Sequence, residues 1–497
     1  MPYESRIPKN PNFDDLGSQL KKYCSPTDID LARLVYDFAE KAHQGQYRKS
    51  GGLYITHPIA TAQLLANMKI DINIIAAALL HDVPEDTNVT LEEIEKNFGQ
   101  DIATMIKGIT KLGKLKYRGV ERYIENLRKM FVAMAEDIRV MIIKFADRVH
   151  NLSTIEALPI KKRFRIALES LEIYAPIANR LGMGEFKSLL EDLSFPYVNP
   201  KEYEKVRQTR KSLLSEREIY LKKIMKVISD ELTDTGIKLI SVHGREKSLY
   251  SFYQKILRKG WENIDKIYDI VAIRIIVNDM GDCYASLGII HKLWRPLTGR
   301  IKDYISQPKP NGYKSIHTTV FCVEGKIVEF QIRDQKMHEE AEYGIAAHWH
   351  YDEKGSRLPA KDIMWAKELA DIQKNIVEKL SDMDELKVDF FKNRIFVFTP
   401  QGDVIDLPED ATPIDFAYHI HTDIGNRCNG AKVNDQLISL DTPLKSGDVV
   451  DIIVDKNRKG PSQDWIKSAK THLAKSRIKT SLKNEKSSWL KIILPKK

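Results

Sequence analysis

The sequence has few cysteines and no long apolar run, and each absence excludes a class of protein. Its four cysteines, Cys24, Cys283, Cys322 and Cys428, stand far apart without a C-x-x-C pair. That spacing argues against a zinc ribbon or a disulfide framework and fits a reducing compartment. The longest apolar stretch, "INIIAAALL" at residues 72–80, is too short to span a bilayer, and the N-terminus lacks the apolar segment of a secretory signal. We therefore expect a cytoplasmic protein with no membrane partner.

Positive charge is concentrated near the end of the sequence. Residues 456–497 contain 13 Lys and Arg against 2 Asp and Glu, whereas the whole chain carries a net charge of +9. The rest of the chain is therefore close to neutral. A basic tail of this kind could bind RNA or another polyanion, or could simply be solvated, and composition alone favours neither interpretation.

Hydrophobic periodicity divides the 497 residues into domains. Apolar residues recur at helical spacing up to residue 195, and "FPYVNP" (Phe195–Pro200) predicts an extended break between two prolines. Short β-rich runs with helices between them begin at Lys238. The predicted order is a helical domain at 1–195, a helical linker at 196–237, an α+β domain at 238–350, a second helical linker at 351–390, a small β-rich module at 391–455 and the basic tail at 456–497.

Four potential metal ligands lie in the helical domain. His81 and Asp82 follow the apolar run at 72–80, at the end of a predicted helix, and His57 precedes a proline that marks a helix start. Asp147 lies one helical turn before Asn151, so both share a helix face. Two imidazoles and two carboxylates suit Mn²⁺, Fe²⁺ or Zn²⁺. Such an ion lowers the pKa of a bound water and creates a hydroxide nucleophile.

Further polar residues surround these ligands in the sequence. Glu85 and Asp86 follow His81 and Asp82 by one turn and could orient a water or move its proton. The segment "RKSG" (Arg48–Gly51) adds two cations and a hydroxyl, which suggests a phosphate substrate. Any one of these histidines taken alone would be an ordinary core or surface residue. The set of ligand types, each with an apolar helix behind it, is what favours a hydrolytic metal site.

The segments "GQYRKSGGLYITHP", "HDVPEDT" and "ADRVHN" resemble the HD-type hydrolase half of the long Rel/Spo homologues, which make and destroy ppGpp and pppGpp. The resemblance implies an all-α domain that removes pyrophosphate from the 3′ position of the guanosine. It implies Mn²⁺ bound by His57, His81, Asp82 and Asp147, catalytic roles for Glu85 and Asp86, and nucleotide contacts from Arg48, Lys49, Ser50, Asn151 and Thr154. Two residues depart from the family pattern: Pro84 replaces an aliphatic residue, and Ser153 replaces an arginine.

The chain has no glycine-rich loop of the kind that binds phosphates. No G-x-x-x-x-G-K-[ST] occurs, and the glycine pair of "GMGEFK" (Gly182–Lys187) lacks the strand–turn context of a nucleotide fingerprint, so we assign that pair a structural role. Side-chain cations would have to bind any nucleotide instead. The candidates are Arg245, Lys247, Lys255, Arg274, Arg295, Arg300, Lys302, Lys309, Lys314 and Arg333.

Two acids among these cations predict a second metal site. Asp269 opens the apolar strand "IVAIRIIV", and Glu329, Gln331 and Arg333 alternate along "VEFQIR", so strand period puts these three on one face. Carboxylates on neighbouring strands would hold Mg²⁺ against a triphosphate, and one could accept a proton from an attacking hydroxyl. Tyr313 offers an aromatic face for a base.

The segments "GREKSLYSFYQK", "IYDIVAIR" and "GRIKDYISQPKPNGYKSIHTTV" resemble the synthetase half of the same family, which has a nucleotidyltransferase-like fold. The resemblance implies transfer of pyrophosphate from ATP to the 3′-hydroxyl of GDP or GTP. It implies that Asp269 and Glu329 bind Mg²⁺, that Glu329 is the general base and that Tyr313 stacks on guanine. The other implied nucleotide contacts are Arg245, Lys247, Lys302, Asn311, His317 and Arg333. The basic "RIKD" at residues 300–303 points to a bifunctional enzyme, while Lys314 replaces a usual Gln and Asp334 a usual Thr.

The β-rich module resembles a TGS domain, through "FVFTPQGDVIDLP" and "TPIDFAYHIHTDIG". The resemblance implies a small β-grasp-like fold and contact with tRNA on the ribosome, to which the basic tail could add. The resemblance to the Rel/Spo family as a whole covers about Asp28 to Thr471, and the Cys-rich and ACT-like modules of longer relatives have no counterpart. We therefore expect a C-terminally shortened member of the family, and the sequence does not predict how it is regulated.

The sequence thus predicts a bifunctional alarmone enzyme of the stringent response. One alternative is a hydrolase that keeps an inactive synthetase as a scaffold, suggested by the substitutions at Lys314 and Asp334. Another is a ribosome- or tRNA-tethered regulatory protein, suggested by the TGS-like module and the tail. Replacement of Asp269 and truncation after Asp455 would separate these alternatives from the bifunctional enzyme.

Overall fold

A computed structural model describes residues 7–113, 136–261, 271–309, 311–350, 394–400, 404–445, 447–455, 457–458, 460–471 and 473–482, together with the single residues 130, 133 and 264. The chain forms two compact units, Met1–Ala370 and Asp371–Lys497. The predicted linker at 351–390 lies outside the described residues. Among the residues that are described, no helix is both long enough and apolar enough to cross a membrane.

The first half of unit 1 is built from helices, as predicted. In chain order they are α1 (Phe13–Leu20), α2 (Pro26–Ala42), α3 (Thr56–Ala66), α4 (Ile72–Leu80), α5 (Val83–Asp86), α6 (Leu91–Phe98), α7 (Gln100–Gly113), α8 (Arg139–Ser153), α9 (Ile160–Glu169), α10 (Ala175–Arg180), α11 (Gly184–Val198) and α12 (Pro200–Asp234). A 3₁₀ turn at Ile155–Ala157 and a π-helical turn at Ser170–Tyr174 complete this part.

Helix α4 is the central helix of this half. Every residue of α4 except Asn73 is buried, which its uniformly apolar sequence dictates. Helix α3 is buried from His57 to Ala66 and packs against α4 and α8. Because all three helices are buried, the polar residues at the end of α4 and the start of α3 are carried into the interior.

The expected extended break at Phe195–Pro200 is wrong. Helix α11 continues through Pro196 to Val198, and α12 begins at Pro200. Tertiary packing overrides the proline signal here, because Phe195 is fully buried and its ring stacks on Tyr253 with centroids 4.9 Å apart. The junction between the two helices is therefore a short turn at Asn199 rather than an extended piece.

The second half of unit 1 is a mixed sheet with helices, as predicted for an α+β domain. Its strands are β1 (Leu239–Glu246), β2 (Val271–Val277), β3 (Arg295–Pro296), β4 (Lys302–Asp303), β5 (Ile316–Phe321) and β6 (Ile327–Asp334). The order is β1-β2-β6-β5-β3, with β4 also paired to β5, and only β2 and β6 run parallel. The helices are α13 (Leu249–Lys259), α14 (Met280–Leu293) and α15 (Gln335–Tyr343), followed by a 3₁₀ segment at Gly344–His350.

The two faces of this sheet have opposite character. Residues such as Ile273, Ile275, Phe330 and Ile332 share a hydrophobic core with α12, α13 and α14. Alternation along the strands turns their neighbours to the other side. This polar face carries Arg245 from β1, Arg274 from β2, Lys302 from β4, His317 from β5, and Glu329, Gln331 and Arg333 from β6.

The glycine pair of Gly182–Lys187 does have a structural role, at the joint between the two halves of unit 1. A Cβ on Gly182 would lie 2.9 Å from the carbonyl oxygen of Asn311, and one on Gly184 would lie 2.8 Å from that of Ala341. On the facing side Gly344 has φ +59°, and a Cβ there would lie 2.2 Å from the Leu181 oxygen. Backbone meets backbone at this joint, which leaves no room for side chains.

Unit 2 contains the expected β-rich module with helices. It has strands β7 (Arg394–Phe398), β8 (Val404–Pro408), β9 (Cys428–Val433), β10 (Gln436–Ile438) and β11 (Val450–Val454), with pairs β7-β8 and β10-β9-β11. Its helices are α16 (Pro413–Ile420), α17 (Thr422–Arg427), α18 (Trp465–Ser468) and a helix over 473–482. The buried Asp415 carboxylate ties the last part to the module, because it accepts hydrogen bonds from the amides of Thr412, Lys470 and Thr471.

We predict that Gly344→Ala lowers the free energy of unfolding by ~2 kcal/mol or more, because the new methyl group both strains the backbone and collides with Leu181. Gly288→Ala is the matched control: it lies in α14 with no atom within 4 Å of the added Cβ, and should be neutral or stabilising by ~0.5–1 kcal/mol. Urea unfolding of the full chain measures both. Equal stability of the two variants would contradict the close approach.

Candidate active sites

His57, His81 and Asp147 form a buried cluster where α3, α4 and α8 meet. Their candidate ligand atoms all lie within 4.8 Å of one another. His57 Nε2 is 3.2 Å from Asp147 Oδ1 and 3.5 Å from Asp82 Oδ2, and His81 Nε2 is 3.2 Å from Asp82 Oδ1. The structure therefore brings together all four of the predicted metal ligands.

The hydrogen bonds of His81 fit a metal ligand. Its Nδ1 lies 2.7 Å from the Ala78 carbonyl oxygen, which can only accept, so Nδ1 is a donor, and the neutral form of the ring presents the lone pair of Nε2. That Nε2 is buried without a hydrogen-bond partner and faces the Asp82 carboxylate, which is also electron-rich. A cation between the two groups would remove this conflict, and a mixed imidazole and carboxylate set suits a divalent transition metal.

Asp147 is buried as a carboxylate because a lysine accompanies it. The ammonium group of Lys144 lies 2.7 Å from Asp147 Oδ2, and the Asn151 amide donates to Oδ1. Burial by itself would raise the pKa of Asp147, but the Lys144 charge and the neighbouring rings of His57 and His81 together outweigh burial and hold the pKa well below its ordinary value. Burial also lowers the pKa of His57, which keeps that imidazole neutral and able to bind a metal.

Glu85 and Asp86 lie in α5, directly after the ligands. The Tyr54 hydroxyl is 3.0 Å from Asp82 Oδ2 and also contacts Asp86 Oδ2, so one phenol joins a predicted ligand to a predicted catalytic acid. Partial burial raises the pKa of Glu85, and the carboxylates of Asp82 and Asp86 add to that effect. A carboxyl group of raised pKa beside a metal site is suited to accept a proton and return it.

Three of the five predicted nucleotide contacts of this site come together. Arg48 Nη2 donates to Asn151 Oδ1 at 2.9 Å and lies 3.4 Å from Thr154 Oγ1. Lys49 and Ser50 lie exposed in the turn after Arg48 and are available to solvent. The cluster thus has a cationic rim on the side of α8 that carries Asn151.

The second candidate site is a line of hydrogen bonds along the polar face. Arg245 Nη1 donates to Gln331 Oε1 at 3.2 Å, and Gln331 Nε2 donates to Glu329 Oε1 at 3.1 Å. His317 Nδ1 is 3.4 Å from the same Glu329 oxygen, and its Nε2 is 2.9 Å from the Tyr313 hydroxyl. A candidate base, cations and an aromatic ring are therefore connected without a glycine loop.

Tyr313 lies among other rings and cations. Tyr304 and His317 approach it edge-on at 6.1 and 5.8 Å, and Lys309 Nζ lies 5.0 Å from its centroid. Burial alone would raise the pKa of Tyr313, but His317, Arg333 and Arg245 outweigh it and lower the pKa to about 7. Burial, reinforced by neighbouring cations, lowers the pKa of Lys309 to about 8. The concentration of positive charge here favours an anionic ligand.

The remaining predicted residues of this site are placed as follows. Lys302 in β4 is exposed and pairs across the ladder with His317, and Lys247 follows the end of β1. The Asn311 amide donates to the Asn179 carbonyl of the helical half at 3.2 Å, so Asn311 also belongs to the joint. Asp269, and with it the carboxylate pair predicted for Mg²⁺, lies outside the described residues.

Family models match three parts of the chain: "HD domain" at residues 35–184, "Region found in RelA / SpoT proteins" at 244–356 and "TGS domain" at 395–454. The guanosine-3′,5′-bis(diphosphate) 3′-pyrophosphohydrolase of Aquifex aeolicus is 44% identical over 95% of this chain and 67% of its own length. The bifunctional (p)ppGpp synthase/hydrolase SpoT of Escherichia coli is 43% identical over 95% and 68%. The chain belongs to the RelA/SpoT family.

A third relative is named for the synthetic activity, as a GTP pyrophosphokinase. The GTP pyrophosphokinase of Myxococcus xanthus is 42% identical over 95% of this chain and 64% of its own length. The chain thus spans about two thirds of the length of these relatives.

The departures from the RelA/SpoT pattern have structural explanations. Pro84 lies in the first turn of α5, where a proline fits a helix. Asp334 caps α15 by accepting from the Met337 amide at 2.7 Å, a role that threonine also performs. Lys314 pairs with Glu340 at 3.2 Å, and Ser153 Oγ donates to the His150 carbonyl. Asp334, Lys314 and Ser153 thus each have a contact of their own, and none of these contacts displaces a predicted metal ligand.

Three residues of the first site were missed by sequence reasoning. Lys144 and His150 lie three residues before and after Asp147, a spacing that puts them on its helix face and could have revealed them. His150 Nδ1 lies 2.7 Å from His57 Nδ1, so it supports the ring of that predicted ligand. Tyr54 stands three residues before His57, inside the segment that resembles the hydrolase half of the family, but no role was predicted for it.

We predict that Asp147→Asn lowers the affinity for Mn²⁺ by about 10²-fold or more, because it removes a buried anionic ligand and leaves Lys144 uncompensated. Calorimetric titration of the full chain with Mn²⁺ measures the change. Asp137→Asn, at the start of the same helical segment and paired with Arg139, is the control and should bind as the wild type does. Unchanged affinity in Asp147→Asn would remove that residue from the metal site.

Proposed function

We propose that the chain is a bifunctional alarmone enzyme. It makes (p)ppGpp by transferring pyrophosphate from ATP to the 3′-hydroxyl of GDP or GTP, and it hydrolyses (p)ppGpp to GDP or GTP and pyrophosphate at a separate site. The observation that carries the proposal is that two polar sites with different chemistry stand on different elements of unit 1. One is the buried imidazole and carboxylate cluster, and the other is the basic polar face with Glu329.

In the hydrolase, His57, His81, Asp82 and Asp147 would hold Mn²⁺, which when bound supplies a water of lowered pKa. Arg48, with Asn151 and Thr154 beside it, would bind the guanosine nucleotide and orient its 3′-phosphate. Hydrolysis would join an oxygen from water to the phosphorus attached to O3′ and break the bond between that phosphorus and O3′. Glu85 and Asp86 would take the water proton and return one to O3′.

In the synthetase, Glu329 and Asp269 would hold Mg²⁺, which when bound neutralises charge on the triphosphate. Tyr313 would stack on guanine, and Arg245, Lys247, Lys302, Asn311, His317 and Arg333 would contact the nucleotides. Glu329 would accept the proton of the 3′-hydroxyl while the 3′-oxygen attacks the β-phosphorus of ATP. The bond between that phosphorus and the AMP leaving group would break. His317, 3.4 Å from Glu329, supports the position of that carboxylate.

We assign hydrolysis to the domain at 1–195, synthesis to the domain at 238–350, and an RNA-binding role to the TGS domain at 391–455 with the basic tail. Contact with tRNA or the ribosome and a cytoplasmic location follow from this assignment. The substitutions that suggested the inactive-scaffold alternative, Lys314 and Asp334, both have ordinary structural partners, which supports the bifunctional proposal. A protein that only tethers to tRNA or the ribosome would not need either of the two polar sites. Loss of RNA association on truncation after Asp455 would support the RNA-binding role.

Paired variants separate the two activities. With ATP, GDP and Mg²⁺ the wild type should form ppGpp, and with ppGpp and Mn²⁺ it should release pyrophosphate. We expect Asp269→Asn to lower synthesis by about 10²–10⁴-fold without changing hydrolysis, and Glu85→Gln to do the reverse. Chromatography of labelled nucleotides follows both reactions. Absence of both products in the wild type would contradict the proposal, and hydrolysis alone, unchanged by Asp269→Asn, would establish the scaffold alternative.

Tyr313→Ala should raise the KM for GDP in synthesis by about 10-fold or more, since stacking of a base on an aromatic ring contributes ~1–3 kcal/mol. Tyr313→Phe is the matched control, because it keeps the ring and loses only the hydroxyl that contacts His317. Initial rates at varied GDP concentration give both values, with hydrolysis of ppGpp as the internal standard. An effect of Tyr313→Phe as large as that of Tyr313→Ala would show that the hydroxyl, and not the ring, matters.

A further inference from the structure

A single carboxylate joins two buried arginines of the polar face. Glu342, near the end of α15, is 6% exposed, and its Oε1 accepts from Arg274 Nη1 at 2.9 Å and from Arg333 Nη2 at 3.2 Å. Arg274 is 4% exposed and Arg333 is fully buried. Two charges of one sign in so dry a place require a counter-charge, because an isolated buried ion is strongly disfavoured.

Strand geometry makes these arginines close neighbours. Arg274 in β2 lies opposite Gln331 in β6, and Arg333 follows Gln331 by two residues on the same face. Nearby histidines add no positive charge at neutral pH. Burial, with the charges of Arg274 and Arg333 behind it, lowers the pKa of His243 to about 4, and similar causes lower that of His338 to about 3. Glu342 therefore supplies negative charge to both arginines.

Both arginines border the candidate synthetase site. The Arg333 guanidinium lies 5.9 Å from the centre of the Tyr313 ring. Arg274 lies beside Gln331, whose side chain donates to Glu329 and accepts from Arg245. A displacement of either guanidinium would therefore shift the Tyr313 ring, on which guanine would stack, or Glu329, the proposed general base.

We propose that Glu342 is a positioning residue of the synthetase site, which fixes Arg274 and Arg333 behind the Tyr313 ring and the Gln331–Glu329 pair. The proposal rests on the proposed synthetase function. Glu342 touches neither substrate nor metal in this account and acts through the two arginines. The opposite role, a carboxylate that competes with phosphates for the arginines, predicts the opposite result when the charge is removed.

The test replaces the charge while keeping the shape. In Glu342→Gln we expect kcat/KM for GDP in synthesis to fall on the order of 10²-fold, because a small misplacement of positioning groups has effects of that size. Hydrolysis of ppGpp by the same chain should stay within about twofold and reports that the fold is intact. Glu339→Gln is the matched control, since it makes the same change in the same helix at a residue that contacts Gln335.

A second variant separates positioning from stability. In Glu342→Ala, added formate should restore synthesis several-fold by supplying the missing carboxylate, and should leave hydrolysis unchanged. If hydrolysis also falls in Glu342→Gln, Glu342→Asp decides, because restored charge should recover synthesis. Synthesis by Glu342→Gln at or above the wild-type rate would overturn the proposal, as would the absence of formate rescue in Glu342→Ala.

A wild-type chain that makes no (p)ppGpp contradicts the proposed function instead. In that case calorimetry with GDP tests Glu342, and equal affinity of the wild type and Glu342→Gln counts against it.

Discussion

The ion pair between Lys144 and Asp147 is the interaction on which the helical half depends. A carboxylate inside a bundle of apolar helices is strongly disfavoured unless a partner compensates its charge. Lys144, one turn earlier on α8, is that partner and leaves the Oδ1 side of Asp147 turned toward His57. The apolar α4 then brings His81 to the same point, so that helices with little polar surface of their own enclose a polar centre.

The α+β half meets the same constraint in another way. Its sheet buries one face in a hydrophobic core and turns arginines, Glu329 and Gln331 to the other. Strand alternation separates the two environments without a glycine loop. The helical half adds backbone support at the joint of Gly182 and Gly344, and the Asn179 carbonyl accepts from Asn311. The loop that carries Tyr313 is thus braced by the domain that holds the other site.

Sequence reasoning located most of the first site because helical period and ligand chemistry are local. The placement of His57 at the start of α3, of His81 at the end of α4 and of Asp147 with Asn151 on α8 follows from periodicity and the adjacent proline. The supporting residues Lys144 and His150 share that helix face, but nothing in the sequence alone showed what they would contact. The error at Phe195–Pro200 has a similar origin, because burial of Phe195 against Tyr253 is a tertiary contact that outweighs the local proline signal. No role was predicted for Glu342 either, since its partners come from β2 and β6 and the sequence alone does not show these contacts.

We infer that two imidazoles and the carboxylates beside them bind one ion. Pulsed EPR on the full chain with one equivalent of Mn²⁺ tests it directly. The account predicts hyperfine coupling to two histidine nitrogens at a single bound ion, reduced to one nitrogen by His81→Ala. Bound Mn²⁺ without nitrogen coupling would contradict it.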